Sequence, residues 1–315
     1  MQTSSNAIES VDRQPRDDAD LLVERSIKKY RRYHRRYDRK HPEIFNSIEQ
    51  GRLHAELDRA LADVRSDASP AQALDLGCGT GNVTRHLLEL GARVLAADVS
   101  PEFLTTVSRR FAATDRVETL QINGRDLSGV PDASIDLVCA YSVLHHIPDY
   151  LGALDEIARV LSPGGIAFLD HEANDNFYDK QSCFWDMLRA ADDVRIARQN
   201  WWNGRRWWNP QAKRWQRFLM PSKYVLRMRQ MINPAYPWDV EGDIHVWWND
   251  RIEWDRVEER LLGGGCEIVR RGDYLNYSSD YPDEVWARFS DSCTNMRLLV
   301  ARRGGRPSRG TGEII

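Results

Sequence analysis

The sequence predicts an α/β fold: a seven-stranded, mostly parallel sheet with helices on both faces, an N-terminal helical cap and an inserted tryptophan-rich lid. Three observations carry this. From Ala71 to Leu169, short apolar runs alternate with stretches of helical period, the texture of a parallel sheet covered on both sides. A glycine-rich turn, Gly77-Cys78-Gly79-Thr80-Gly81, leaves the first apolar run and opens the first helical stretch. The alternation then lapses between about Asn174 and His245 and resumes beyond it.

Residues 1–20 are polar and poor in large apolar groups, which predicts disorder, and the tail 303–315 reads in the same way. Residues 21–66 carry helix-period apolar positions and predict a cap of two helices broken near His41-Pro42, because proline does not continue a helix. The core, 67–173, has strands at Ala73–Leu76, Val94–Val99, Val117–Ile122, Ile135–Ala140 and Ile166–Leu169. Between them lie helices at Val83–Leu90, Glu102–Ala112 and Tyr150–Leu161, and Pro163-Gly164-Gly165 turns into the last strand. Residues 174–245 form the lid. Residues 246–302 complete the core with a helix at Ile252–Leu262, a turn at Gly263-Gly264-Gly265 and strands at Cys266–Arg270 and Met296–Ala301.

With 42% hydrophobic and 29% charged residues, the composition is that of a soluble globular protein. A net charge of -3 gives no global basic field toward nucleic acid or an anionic membrane. No apolar run reaches the roughly 20 residues that span a bilayer, and the polar N-terminus lacks a signal-peptide pattern. The five cysteines, Cys78, Cys139, Cys183, Cys266 and Cys293, are scattered without a C-x-x-C pair. That spacing argues against a disulfide framework or a zinc knuckle and predicts a cytoplasmic protein.

The glycine turn lets a ligand approach the backbone closely at a helix start. Its third glycine follows the second after one residue, unlike the G-x-G-x-x-G of dinucleotide sites, and Asp75 precedes it where a pyrophosphate would be repelled. No Gly-Lys-Ser/Thr follows, which excludes a P-loop. The block Leu74-Asp75-Leu76-Gly77-Cys78-Gly79-Thr80-Gly81 resembles the first motif of class I, Rossmann-like, S-adenosylmethionine-dependent methyltransferases. Asp98, ending Val94-Leu95-Ala96-Ala97-Asp98, matches that family's acidic residue for the ribose hydroxyls, and a carboxylate can accept from both hydroxyls of a diol. Pro131–Val138 with Val143–Asp149, and Arg159–Gly165, resemble two later blocks.

The resemblance implies S-adenosylmethionine as cofactor, held by Asp75, Gly77, Cys78, Gly79, Gly81, Asp98, Val99, Asn123, Gly124 and Tyr141. Many relatives carry Gly-Asp after the third strand, as the adenine contact; here Asn123-Gly124-Arg125-Asp126 leaves either Asn123 or Asp126 for that role.

Methyl transfer needs an acceptor aligned with the methyl group and, for a hydroxyl, a general base. Ligands of open α/β sheets bind beyond the carboxyl ends of the strands. Two places there offer bases: Tyr141, His145 and His146 after the fourth strand, and Asp170, His171 and Glu172 ending the fifth. By placement, His171 is the expected base, His146 a second acceptor contact and Glu172 an orienter or metal ligand. Asp170-His171-Glu172 could also take a divalent cation. His145 and His146 have a structural alternative, packing against the sheet.

All 11 tryptophans fall from Trp185 onward, including the pairs Trp201-Trp202, Trp207-Trp208 and Trp247-Trp248, and Arg195–Arg229 holds ten basic and no acidic residues. Aromatic faces stack on sugars and arginine forks pair with carboxylate or phosphate, although a small lid core rimmed by arginines uses the same residues. Adjacent tryptophans cannot both face inward, so some line a groove or an oligomer contact. Tyr30, Tyr33 and Tyr37, among arginines, are expected to cap the cofactor.

The favoured acceptor is a sugar hydroxyl on a small, anionic or glycolipid-linked molecule. The alternatives are another natural-product intermediate, methylated on oxygen or nitrogen, and RNA. The negative net charge and the absence of a visible RNA-binding module weigh against RNA. A non-catalytic cofactor-binding protein is a further reading, opposed by the intact glycine loop.

Overall fold

The computed structural model describes residues 20–24, 27–28, 31, 36–64, 69–204, 244–247 and 250–305. A short helix α1 (Tyr37–Lys40) and a longer α2 (Ser47–Ala62) form the cap, with Pro42 in the turn between them. Asn46 starts α2, its side-chain oxygen accepting the Glu49 N–H at 2.9 Å. The core then alternates: β1 (Gln72–Leu76), α3 (Asn82–Glu89), β2 (Arg93–Asp98), α4 (Pro101–Arg110), β3 (Val117–Gln121), β4 (Ile135–Tyr141), α5 (Tyr150–Val160) and β5 (Leu161–Ala173). After it come α6 (Asp175–Tyr178), α7 (Cys183–Gly204), the small pair β6 (Val246–Trp247) and β7 (Asp250–Arg251), α8 (Trp254–Gly263), β8 (Cys266–Tyr274), α9 (Asp283–Phe289) and β9 (Met296–Arg303).

The seven-stranded sheet runs β3-β2-β1-β4-β5-β9-β8. Strands β1 to β5 pair in parallel, and β9 runs antiparallel between β5 and β8. This is the expected mostly parallel α/β architecture. The order reverses after β3, so β1 and β4 are neighbours whose following loops diverge, and a crevice opens beyond their carboxyl ends.

Alternation along each strand sorts side chains to two cores. Val138 and Ala140 of β4, with Leu74, Leu76, Ala167 and Leu169, face α5 and α8 through Leu154, Ile157, Val257 and Leu261. Leu137 and Cys139 of β4, with Ile166, Phe168 and Val300, face α2 and α3 through Leu53, Leu57, Val83 and Leu87. The cap helix α2 is thus part of the main core.

Three expectations change. Strand β5 begins at Leu161, so Pro163-Gly164-Gly165 is an irregularity inside it: Gly164 has φ of +84° and the pairing with β4 shifts between Ile135 and Leu137. Helices α7 and α9 lie where no alternation signalled them. Phe184, Met187 and Ala191 of α7 pack on Leu275, Val285 and Phe289 to form a third, smaller core. Beside it Cys183 and Cys293 form a disulfide, which 110 residues of separation hide from a search for local pairs. The pair corrects the expectation, drawn from the scattered cysteines, of no disulfide. Cys78, Cys139 and Cys266 are buried free thiols.

No described helix is long and apolar enough to cross a membrane. The expectations for Trp201-Trp202, Trp207-Trp208, the basic stretch Arg195–Arg229, Tyr30 and Tyr33 concern side chains outside the described residues. Trp185 and Trp254 are structural: their indole N–H groups donate to the carbonyls of Phe177 and Ala173, each at 2.9 Å.

Candidate active site

Strand β1 delivers the chain into the glycine turn, which is tied to the end of β2: the N–H groups of Gly77 and Cys78 both donate to the Ala97 carbonyl, at 2.8 and 3.0 Å. The three glycines do different work. A Cβ on Gly77 would lie 2.2 Å from Val143 Cγ2, so glycine lets the loop after β4 approach. A Cβ on Gly81 would press on Phe111 at 2.8 Å, a packing role against α4. At Gly79 a Cβ would meet only the Gly77 carbonyl, at 4.0 Å, so this backbone faces open space. That space is a cleft lined among others by Gly77, Gly79, Asp98, Val99, Gly124 and Asp126.

Asp98 stands at its wall. One carboxylate oxygen accepts the Gly79 N–H (3.0 Å) and the other the Ser100 N–H (2.8 Å). Burial pushes its pKa up from 3.8 to about 6, against the pull of these bonds. Each oxygen keeps a further lone pair for a ligand hydroxyl.

Five expected cofactor contacts do not line this cleft. Asp75 is buried beneath the loop and accepts from both the backbone N–H and the hydroxyl of Thr84, at 2.9 and 2.6 Å; burial raises it to about 7. Through that one oxygen it holds the start of α3. Cys78 points into a small cluster with Leu104 and Val107, and Gly81 serves packing. The Asn123 oxygen is occupied by the N–H groups of Arg125 and Asp126, at 2.8 and 3.0 Å, while Asp126 lines the cleft. Tyr141 donates its hydroxyl to Glu49 at 2.9 Å, behind the site.

Tyr37, Ser142 and His146 line both this cleft and a second one, so the two spaces meet there. The second cleft is also lined by Lys40, His41, Glu43, His145, His171, Tyr178 and His245, polar groups supplied by the cap, the ends of β4 and β5, and the residues before β6, set among Ile44, Phe177, Ile252 and Met296. Strand β5 delivers His171 through a bulge: its pairing with β9 shifts between Leu169 and Glu172, and His171 takes a left-handed φ of +62°. Bulges commonly re-aim side chains beside active sites, and left-handed backbone at a non-glycine residue is strain that its surroundings must hold. The ring is buried and tilted over Tyr141 at 4.8 Å between centroids. Neither ring nitrogen has a hydrogen-bond partner, which is costly for a buried polar group without a ligand.

The residues on either side of His171 are committed elsewhere. Asp170 accepts from Arg52 at 2.8 Å and from the Tyr274 hydroxyl at 3.1 Å, while Arg52 also bonds Glu49. Burial works against the Arg52 charge, but Asp170 and Glu49 hold its pKa above the ordinary range. Glu172 accepts the N–H groups of Val143 and Leu144, at 2.9 and 2.8 Å, through one oxygen and pairs with His145 Nδ1 at 2.7 Å through the other. Glu172 therefore orients the loop that carries His145 and His146. Asp170 turns to Arg52 and Tyr274 while Glu172 turns to the loop after β4, so with His171 they do not converge as a cation site among the described residues. Sequence reasoning missed Ser142, His41, Glu43, Tyr178 and His245. Only their residue types could have signalled them, since the cap and the residues near β6 reach the cleft through tertiary packing alone.

The sheet order, with the glycine turn and the acid ending β2, defines an open, Rossmann-like α/β fold with a cleft at the carboxyl ends of β1 and β2. Residues 74–169 match the family described as a methyltransferase domain, and over that segment the chain is similar to S-adenosylmethionine-dependent methyltransferases. Its sequence is 36% identical over 110 residues to a ubiquinone biosynthesis O-methyltransferase from Xanthomonas oryzae, covering 33% of this chain and 44% of that protein. It is 39% identical over 107 residues to a demethylmenaquinone methyltransferase from Clavibacter sepedonicus, with 34% and 42% covered. It is 37% identical over 114 residues to a trans-aconitate 2-methyltransferase from Azoarcus, with 36% and 42% covered. The chain thus spans less than half the length of these curated relatives. Among solved structures, an S-adenosylmethionine-dependent methyltransferase from Mesorhizobium loti superposes with a TM-score of 0.49 at 17% identity, over 80% of this chain and 98% of that one.

Proposed function

We propose that the chain methylates a hydroxyl of a small acceptor, with the cofactor in the first cleft, the acceptor in the second and His171 as general base. The observation that carries this is His171 itself, whose two ring nitrogens lie buried and unpartnered beside the junction of the clefts. The residues present suit S-adenosylmethionine. Gly79 offers its backbone to open space, Asp98 offers acceptor oxygens for the ribose, and Asp126, rather than Asn123, stands at the wall for the adenine amino group. S-adenosylmethionine supplies a methyl group already activated on a sulfonium. The chain's own task is to align the acceptor oxygen and remove its proton. His171 takes that proton on a ring nitrogen as the oxygen forms its bond to carbon, and His146, at the junction, contacts the acceptor beside the methyl position. Tyr37 closes the cofactor side of the same junction.

For the acceptor we keep a polyhydroxylated molecule, with a sugar as the favoured case. The second cleft supports it through five histidines, Lys40, Glu43 and Tyr178, which offer hydrogen-bonding groups to several hydroxyls beside the apolar faces of Ile44, Phe177 and Ile252. The relatives' names point to three different acceptor chemistries, so they leave this choice open.

The test replaces His171 with Ala. Turnover on a responsive sugar or phenol acceptor should fall by about 10²–10⁴, while calorimetric affinity for S-adenosylmethionine stays near that of the unaltered chain. A loss of both together would make the residue structural, and unchanged turnover would remove it as the base.

A further inference from the structure

Away from the clefts, α2 and α3 bring three metal-ligating side chains together. His54 Nδ1 and His86 Nδ1 stand 3.0 Å apart, and Glu89 Oε2 lies 3.8 Å from each. We propose that His54, His86 and Glu89 bind a divalent transition-metal ion of the zinc type, which ties the cap helix α2 to the helix that follows the glycine turn.

The geometry is close to what such an ion needs. Tetrahedral zinc with bonds of about 2.0–2.1 Å holds its ligand atoms about 3.3 Å apart, so these three need shift by only a few tenths of an ångström. Two imidazoles and one carboxylate leave the fourth position to water. The carboxylate offsets part of the ion's charge, and imidazole nitrogen suits zinc, copper and nickel better than calcium or magnesium.

His86 Nε2 lies 3.0 Å from both the Gln50 side-chain oxygen and Arg85 Nη2. With its proton on Nε2 and donated to Gln50, the Nδ1 lone pair is left for an ion, so binding requires Arg85 Nη2 to turn away from that nitrogen. The His86 ring is buried. His54 and Glu89 have side chains 41% and 48% exposed, which gives an ion access and leaves both free to adjust.

Arg85 is the competitor. Its Nη1 donates to the two Glu89 oxygens at 3.1 and 3.3 Å, and its Nη2 lies 2.5 Å from the Gln50 oxygen and 3.0 Å from His86 Nε2. In the metal-free state Glu89 pairs with Arg85, and one imidazole donates to the other. An ion takes Glu89 Oε2 and leaves Oε1 to Arg85. Among the described residues no other three His, Cys, Asp or Glu groups converge in this way, the cleft histidines included.

The experiment strips the untagged full chain with a chelator and titrates Zn²⁺ calorimetrically into the unaltered protein, His54→Ala and Glu89→Gln. One ion per chain at micromolar affinity or tighter is expected, weakened about tenfold or more in each variant. Zn²⁺ should raise the Tm of the unaltered protein and leave that of His54→Ala unmoved. Co²⁺ should give the intense visible bands of a four-coordinate ion. Equal affinity in all three proteins, or no binding by the unaltered chain at micromolar Zn²⁺, would overturn the proposal. None of these readouts depends on methyl transfer.

Discussion

Asp98 carries two demands that oppose each other. Its place under the glycine turn buries it and raises its pKa to about 6. The ribose contact assigned to it needs the ionised carboxylate, since a protonated one loses acceptor capacity. Cofactor affinity should therefore be flat above about pH 7 and weaken toward tenfold per pH unit below 6, as measured by titration of S-adenosylmethionine across pH 5–8. Asp98→Asn should bind weakly and flatten the profile; an unaltered slope in that variant would assign the pH dependence elsewhere. The same shift has a sign for folding. Because the native state holds this proton more tightly than an unfolded chain does, Asp98 contributes stability below its ordinary pKa of 3.8 and loses that contribution as pH rises through 6. Asp98 and Gly79, which line the first cleft, were legible in the sequence from their place at the ends of β2 and β1. Asp75, Cys78 and Gly81 sit in the same motif but serve Thr84, the α4 cluster and Phe111. Motif membership does not separate the residues that face a ligand from those that shape the loop beneath it.

At the scale of elements, the cap and the sheet are joined by one buried polar network. Arg52 of α2 bonds Glu49, Asp170 and Tyr274, its guanidinium lies 3.7 Å from the Tyr274 ring centroid, and Glu49 accepts from Tyr141. Asp170 in turn accepts the His171 N–H at 2.8 Å, at the bulge. The network therefore secures both the cap and the backbone that aims His171. Arg52→Met removes the cation and strands two buried carboxylates. It should cost about 3–5 kcal/mol in urea unfolding. A loss below about 1 kcal/mol would mean that the network is not required to hold the cap. The two cap helices were readable from their 3.6-residue period and from Pro42. Their attachment was not, because an exposed arginine and a buried one look alike in a sequence. The bulge at Asp170-His171 was equally hidden, since it arises from the pairing of β5 with β9, strands far apart in the chain.

Over the whole molecule, the main sheet has two cores, and a third, smaller one joins α7 to α9. The Cys183–Cys293 disulfide closes a loop of 110 residues that contains the whole tryptophan-rich segment. Cys293→Ser should lower stability by about 2–5 kcal/mol, chiefly by freeing the unfolded chain. Reduction with dithiothreitol should lower the Tm of the unaltered protein and leave that of the variant unchanged; equal Tm values before and after reduction of the unaltered chain would show that the bond contributes nothing. The sequence by itself determined the layered α/β core and pointed to the cofactor class, because alternating hydrophobicity and a glycine turn of defined spacing are local signals. Only the tertiary structure decided which polar residues meet. His171 is aimed by a strand bulge, Glu172 is drawn into the loop after β4, Tyr141 turns to the cap, and Cys183 finds Cys293. Each of these depends on a partner tens to hundreds of residues away, and side-chain chemistry alone does not choose among partners at that distance.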